Sequence, residues 1–340
     1  MRESPDGCYH LVPAAQHAGQ RLDVFLARRF GISRSALQQR LQDAVFDRDG
    51  RPLKWSQRLA PGRLIRVRRL RRPEPRVPVD YRLLEADAWW VVVDKGPGAP
   101  VHPARSFRTR TVLTRLRAEL DEPGLAPAHR LDRETSGVLV FGRGPQALRR
   151  LARCFSQGRA RKDYLAVVSG RPDFEQRCVE LPLGRDADFP IRCRMRVDAA
   201  AGQPACTEVA VLARGADCSL VRARPRTGRM HQIRVHLAAL GHPLLGDKLY
   251  RDGGRAYLDL IHDALEPGWA ERLGHHRLAL HAQRLELAHP ADGAPRLLEA
   301  PLPADLAQLL PADMAGLLPA GPGGDQDCSP PLRVSKNGPC

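Results

Sequence analysis

Apolar positions fall into two stretches with different patterns. In the first, Leu22, Phe25, Leu26 and Phe30 recur at helical spacing, with Arg21, Arg28 and Arg29 on other faces, and Gly31 interrupts the run. A second short helix is expected after it, capped by Ser33 or Ser35 and carrying Leu37 and Leu41. Asp49-Gly50 signals a hairpin, and residues 64–68 alternate as a strand does. Beyond a charged, Pro-rich stretch at 71–79, residues 89–93, 137–141 and 164–168 read as buried strands. Helical patterns intervene at 111–120 and at 145–157, the latter marked by Leu148, Leu151 and Phe155. A further helix is expected where Met230, Ile233, Leu237 and Leu240 form an apolar stripe, with Arg234 off its centre and Gly241 as its C-terminal stop. Strands and helices mix without regular alternation, which favours an α+β fold over a doubly wound sheet.

These elements divide the 340 residues into a flexible N-terminus (1–18), a small module (19–70), a linker (71–79), a large domain (80–303) and a tail (304–340). The tail is rich in Pro and Gly and is expected to be disordered from about residue 319.

Charge narrows the function classes. The 54 basic residues exceed the 38 acidic ones by 16, and only five of the 54 are Lys (Lys54, Lys95, Lys162, Lys248 and Lys336). A GC-rich genome explains the Arg:Lys ratio but not the net charge, for which a polyanion such as RNA is the natural partner. No apolar run approaches the ~18 residues of a membrane span, and the first 20 residues lack a continuous apolar signal core. A soluble, cytoplasmic, monomeric protein is the expectation. The eight Cys are dispersed with no C-x-x-C pair, so free thiols are expected rather than a zinc site or a disulfide framework. With no dinucleotide glycine fingerprint and no clustered metal ligands, no cofactor and no metal are expected.

Candidate chemistry concentrates in three segments. His129-Arg-Leu-Asp-Arg-Glu-Thr-Ser-Gly137 holds an acid, Asp132, flanked by Arg130 and Arg133 and poised to stay ionised. Arg161-Lys-Asp-Tyr164 opens a strand with an aromatic hydroxyl. Arg226-Thr-Gly-Arg-Met-His-Gln-Ile-Arg-Val-His236 leads into the helix, followed by Gly241-His-Pro-Leu-Leu-Gly-Asp247. His231 and His236 stand five apart, the wrong spacing for a helical metal pair, and read as structural. Glu134 is expected to face away from Asp132.

The small module resembles the S-four-like RNA-binding domain through R-L-D-V-F-L-A at 21–27 and S-R-S-A-L-Q at 33–38, with the usual V-x-V-N-G turn replaced by Val45-Phe-Asp-Arg-Asp-Gly50. The large domain resembles the RluA-type pseudouridine synthases. H-R-L-D-x-x-T-S-G is matched at every fixed position by 129–137, K-x-Y by Lys162 and Tyr164, and R-T-G-R-x-H-Q-I-R-x-H by 226–236, with G-H-P-x-x-G-D at 241–247. One segment departs: the family's K-P-x-G before V-H-P is Lys95-Gly-Pro-Gly98 here.

That resemblance implies a central, mostly antiparallel sheet with flanking helices, and isomerisation of uridine within RNA. Asp132 would be the essential carboxylate, Arg234 its paired cation, and Tyr164 the group that stacks on uracil and relays the carbon-5 proton. The uridine must be flipped out to be reached, and Arg130 would fill the vacated stack. His129 would order its loop. Arg133, Thr135, Lys162, Arg226, Arg229 and His231, with Arg21 and Arg34 of the small module, would complete the RNA-binding set. Arg149, Arg150 and Arg153 are further candidate phosphate contacts. Glycoside hydrolysis is disfavoured because it typically needs two flanking carboxylates. Large-subunit ribosomal RNA is the favoured substrate and transfer RNA the second. An inactive RNA-binding protein of ribosome assembly is the remaining alternative.

Overall fold

The computed structural model describes residues 8–31, 33–41, 43–68, 74–104, 106–261 and 264–310. The segment expected to be disordered lies outside them. The chain separates into two compact units, Met1–Pro73 and Glu74–Cys340.

The N-terminal unit runs β1 (Cys8–Leu11), α1 (Leu22–Phe30), α2 (Arg34–Arg40), β2 (Val45–Phe46) and β3 (Ile65–Arg68). Its antiparallel sheet has the order β1-β3-β2. The helix α1 stops where Gly31 turns left-handed (φ 65°), a conformation that costs glycine little. Leu22, Phe25 and Leu26 pack with Leu37, Ile65 and Val67 into a small core. One sequence expectation shifts. Residues 8–11, inside the stretch expected to be flexible, form a strand: all four residues of β1 pair with β3, and Leu11 is buried. Asp49-Gly50 makes the expected hairpin turn: the Asp47 carboxylate accepts the Asp49 and Arg51 N–H groups, Phe46 bridges Pro52, and the Leu53 N–H donates to the Val45 carbonyl, while β2 also pairs with the distant β3.

The second unit opens with β4 (Tyr81–Ala86), β5 (Trp90–Lys95), α3 (Val112–Leu120), β6 (Leu125–Pro127), β7 (Ser136–Arg143), α4 (Gly144–Ser156) and β8 (Arg161–Ser169). It continues through β9 (Gln176–Glu180), β10 (Leu183–Arg185), β11 (Met195–Val197), β12 (Cys206–Arg214), β13 (Cys218–Pro225), α5 (Gln232–Ala239), β14 (Leu280–Ala288) and β15 (Pro295–Glu299). One large sheet has the order β4-β5-β7-β14-β8-β13-β12-β9, with β6 and β15 attached at its side. The sequence is apolar without alternation in β5 because both faces are covered. Val91 and Val93 join one core with α3 residues such as Leu116, while Trp90 and Val92 join another with Leu151 of α4. Residues past 303 belong to this unit too, since Leu306 and Leu310 pack on Leu165 and Val167.

Among the ladders described, one contact is parallel: β14 meets β7 at His281↔Ser136 and Ala282↔Gly137. Gly137 has φ 112°, and a Cβ there would lie 2.2 Å from the Ala282 carbonyl oxygen, so the approach requires glycine. This seam anchors the end of the 129–135 loop. The expected apolar helix stripe loses its first member. His231 adopts a left-handed conformation (φ 56°), so α5 begins at Gln232 and Met230 stays in the preceding loop.

Candidate active site

The loop between β6 and β7 turns tightly, the Thr135 N–H donating to the Asp132 carbonyl at 3.1 Å. Leu131 is buried in the core and leaves the Asp132 side chain 29% exposed. From α5, Arg234 reaches it: Nη1 donates to Asp132 Oδ2 at 2.8 Å, across 102 residues of sequence. The other edge of the guanidinium forks onto Asp247, with Nε and Nη2 each 2.8 Å from a carboxylate oxygen. Asp247 is fully buried and also accepts the Leu249 and Tyr250 N–H groups at 2.9 and 3.1 Å. The Tyr250 ring lies under the guanidinium, 5.0 Å from its centre.

These contacts set the charges. Burial pushes the Asp132 carboxyl upward, but the Arg234 guanidinium outweighs it and holds Asp132 below the usual carboxylate range. Arg234 in turn is held well above the ordinary arginine value, its burial overcome by Asp247 and Asp132. His231 stands 3.9 Å from Asp132 and 2.8 Å from the Tyr250 hydroxyl, and burial takes its pKa down to about 4, so it is neutral at pH 7. Tyr164, on β8, is buried; burial and then the Asp132 charge raise its phenol well above the usual value and keep it protonated.

Two buried groups hold the loop from behind. Lys95 is fully buried, and its Nζ donates to the carbonyls of Gly96, Arg133 and Thr135 at 2.8–2.9 Å. Burial lowers its pKa to about 7. Glu134 points away from Asp132, to Lys248 at 2.9 Å and the Leu278 N–H at 3.1 Å. On the opposite side Gln232 ties the 226–231 loop, accepting from the Arg229 N–H and the Thr227 hydroxyl and donating to the Cys206 carbonyl. His236 bonds Thr207 and the Leu181 carbonyl inside the fold.

A cavity of about 350 Å³ opens over this arrangement. Asp132, Tyr164 and Arg234 line it together, as do His129, Arg130, Thr135, Lys162, Arg229 and His231. His129 is a wall rather than a free side chain. Its Nε2 accepts the Val140 N–H at 3.2 Å, its ring rests on Phe155, and burial takes its pKa down to about 3. The Thr135 hydroxyl is buried without a partner. Arg130 is exposed at the rim. Arg133 and Arg226 are not among the lining residues. Arg133 turns to Glu134 and the Phe107 ring, and Arg226 pairs with Glu208. Arg21 and Arg34 lie in the other unit, both bound to Asp23. Arg150 donates to the Pro290 and Ala291 carbonyls, whereas Arg149 and Arg153 are exposed. Sequence reasoning assigned no role to Asp247, Tyr250, Lys95 or Gln232. For Asp247, Lys95 and Gln232 the signal was present, since each stands inside one of the motif segments.

Among the described residues three donor groups could hold a metal: Cys178/Glu180/Cys206, His275/His276/Asp305 and Glu85/Asp87/His289. None of these residues lines the cavity. No helix of the described residues is long and apolar enough to cross a membrane.

Comparison with known proteins places this geometry. A family model described as RNA pseudouridylate synthase matches residues 89–239. An uncharacterised RNA pseudouridine synthase of Mycobacterium bovis is 34% identical over 301 residues, covering 85% of this chain and 92% of that protein. The ribosomal large subunit pseudouridine synthase D of Neisseria meningitidis serogroup A is 34% identical over 302 residues, covering 86% and 78%. Among solved structures, human RNA pseudouridylate synthase domain containing 4 superposes with a TM-score of 0.53 at 28% identity, over 69% of this chain and 92% of that one. An α+β sheet with a carboxylate–arginine pair in its cleft thus coincides with sequence kinship along most of the chain, which belongs to the RluA-type RNA pseudouridine synthases, enzymes that isomerise uridine in RNA.

Proposed function

We propose that this enzyme converts uridines of large-subunit ribosomal RNA to pseudouridine, with Asp132 as its essential carboxylate. The observation that carries the role of Asp132 is its ion pair with Arg234 at the edge of the cavity, backed by the buried Asp247. Relatives named for the large ribosomal subunit, from Neisseria meningitidis and Nitrosomonas europaea, support the substrate. The net charge of +16 fits a polyanionic partner.

The reaction breaks the bond between ribose carbon-1′ and uracil nitrogen-1, turns the base, and joins carbon-5 to the same carbon. The proton on carbon-5 is lost and nitrogen-1 gains one, so the sum is an isomerisation. Whether the carboxylate attacks the sugar, attacks the base or removes a ribose proton, it must be ionised, and the Arg234 contact provides that. Because Asp247 already neutralises part of the guanidinium, Arg234 orients Asp132 without consuming its charge. Tyr164, kept protonated, offers a flat face to uracil and an O–H donor. The unpartnered Thr135 hydroxyl supplies a further hydrogen-bonding group in the wall. Flipping the uridine into so closed a site leaves a gap in the RNA stack, and Arg130 at the rim fills it. The N-terminal unit acts as an RNA-binding module, presenting Arg21 and Arg34 to phosphates.

The test is to express wild type and Asp132→Asn in a bacterial host lacking its RluA-type genes and to map pseudouridine across ribosomal and transfer RNA. New sites in large-subunit RNA with wild type and none with the variant are expected. Sites confined to transfer RNA would overturn the substrate assignment, and sites that persist in the variant would overturn the role of Asp132.

A further inference from the structure

A second hollow, of about 440 Å³, adjoins the catalytic cavity. The two share Lys162 and Pro225 in their walls. Its charged lining is Arg159, Arg161, Lys162, Arg224 and Arg226 against one carboxylate, Glu286. Two of these arginines are already fixed. Arg224 forks onto Asp163 through Nε and Nη2 at 2.6 and 3.0 Å, and Arg226 is paired with Glu208. Arg159 and Arg161 are exposed and have no ion pair among the described residues. The Lys162 ammonium, held 4.8 Å over the Phe155 ring, has none either. Counting Asp163, Glu208 and Glu286, the hollow keeps an excess of two positive charges. Its other lining residues are Gly158, Ala160 and Pro225, so no aromatic ring is present on which a base could stack.

We propose that this hollow binds the phosphodiester of a nucleotide next to the flipped uridine, the RNA strand crossing from one hollow to the other at Lys162 and Pro225. This rests on the function proposed above and adds the path of the substrate. With no aromatic platform, and with Arg224 and Arg226 already held by carboxylates, the hollow is suited to backbone phosphate, and the subsite we propose holds position and register. The pre-set Arg224 and Arg226 give the floor its shape. Arg159 and Arg161 supply the uncompensated charge that a phosphate neutralises, releasing its counterions.

The probe is fluorescein-labelled hexauridylate, followed by fluorescence anisotropy with the full chain at several salt concentrations. A second probe carries uncharged methylphosphonate linkages. Arg159→Ala/Arg161→Ala should weaken the charged probe about tenfold, and the slope of log K against log salt should flatten by about 0.7 for each phosphate no longer neutralised. The neutral probe should bind wild type and variant alike. A charge-matched control, Arg82→Ala/Arg255→Ala, removes exposed arginines elsewhere and should change affinity less than about twofold. Equal affinity and slope for wild type and Arg159→Ala/Arg161→Ala would overturn the subsite. So would an equal loss on the neutral probe, or an equal loss in the control. Anisotropy reads binding without turnover, so it stands apart from the pseudouridine map that tests the enzyme's substrate and Asp132.

Discussion

Each unit sets a carboxylate among arginines, and the two do so in opposite senses. In the N-terminal unit the fully buried Asp23 takes Arg21 and Arg34, whose side chains remain 42% and 56% exposed. The hydrogen bonds from Arg21 lead in holding its carboxyl down to about 2. In the second unit the cation is enclosed: Arg234, 11% exposed, lies between buried Asp247 and the partly open Asp132. One acid serving two arginines leaves positive charge at the surface. One arginine serving two acids leaves negative charge at the cavity. In both cases the buried member supplies position, because an uncompensated buried charge is costly and so its geometry is enforced. The exposed members remain open to solvent.

The contrast breaks most visibly at Asp132. Asp132→Asn should lower kcat by at least about a thousandfold while the melting temperature stays nearly unchanged, since Arg234 keeps Asp247; single-turnover assays and thermal denaturation read the two effects. A large loss of stability instead would make Asp132 a structural partner. Asp247→Asn should do the reverse, costing about 3–5 kcal/mol of unfolding free energy by stranding a buried guanidinium. Urea denaturation measures it, and an unchanged midpoint would show that Arg234 does not depend on Asp247. Arg234→Gln sharpens the electrostatic half. With the cation present Asp132 sits below the ordinary carboxylate range, so activity is lost only when pH falls through that lowered value. Without it burial dominates, and the acid limb of the kcat/KM profile should move up by about one pH unit or more; an unmoved limb would assign the ionisation elsewhere. The smallest effect is expected for Asp23→Asn. Exposed arginines lose their anchor, stability falls by about 1 kcal/mol, and the salt dependence of RNA binding weakens while catalysis on bound substrate is unchanged.

The motifs around Asp132, Tyr164 and Arg234 were legible as three segments, and the structure gathers them round one cavity. Long motifs in fixed order carry their own tertiary information. The buried partners were harder to read. Asp247 ends a Gly-His-Pro loop, and nothing in its local pattern says that its carboxylate is enclosed. Asp23 stands in the first turn of α1, where an acid is ordinary for the helix dipole. Its role depends on Arg34, which approaches from the next helix. Lys95 was legible only as a motif residue, and its clasp on three carbonyls depends on the Arg133 and Thr135 backbone some forty residues on. The Met230 stripe misled because periodicity cannot register the single left-handed residue, His231, that delays α5. Likewise β1 is too short for its alternation to stand out, and its order comes from pairing with β3 and from the burial of Leu11.

The position of β14 also sets a schedule. Since that strand lies between β7 and β8, and its partners Ser136 and His281 are 145 residues apart, the wall bearing Asp132 and the wall bearing Tyr164 are not locked together until residues 280–288 exist. Contacts so distant in sequence form late. A nascent chain therefore presents its N-terminal unit first, and the sheet of the second unit closes only after residues 280–288 have been synthesised and inserted between β7 and β8.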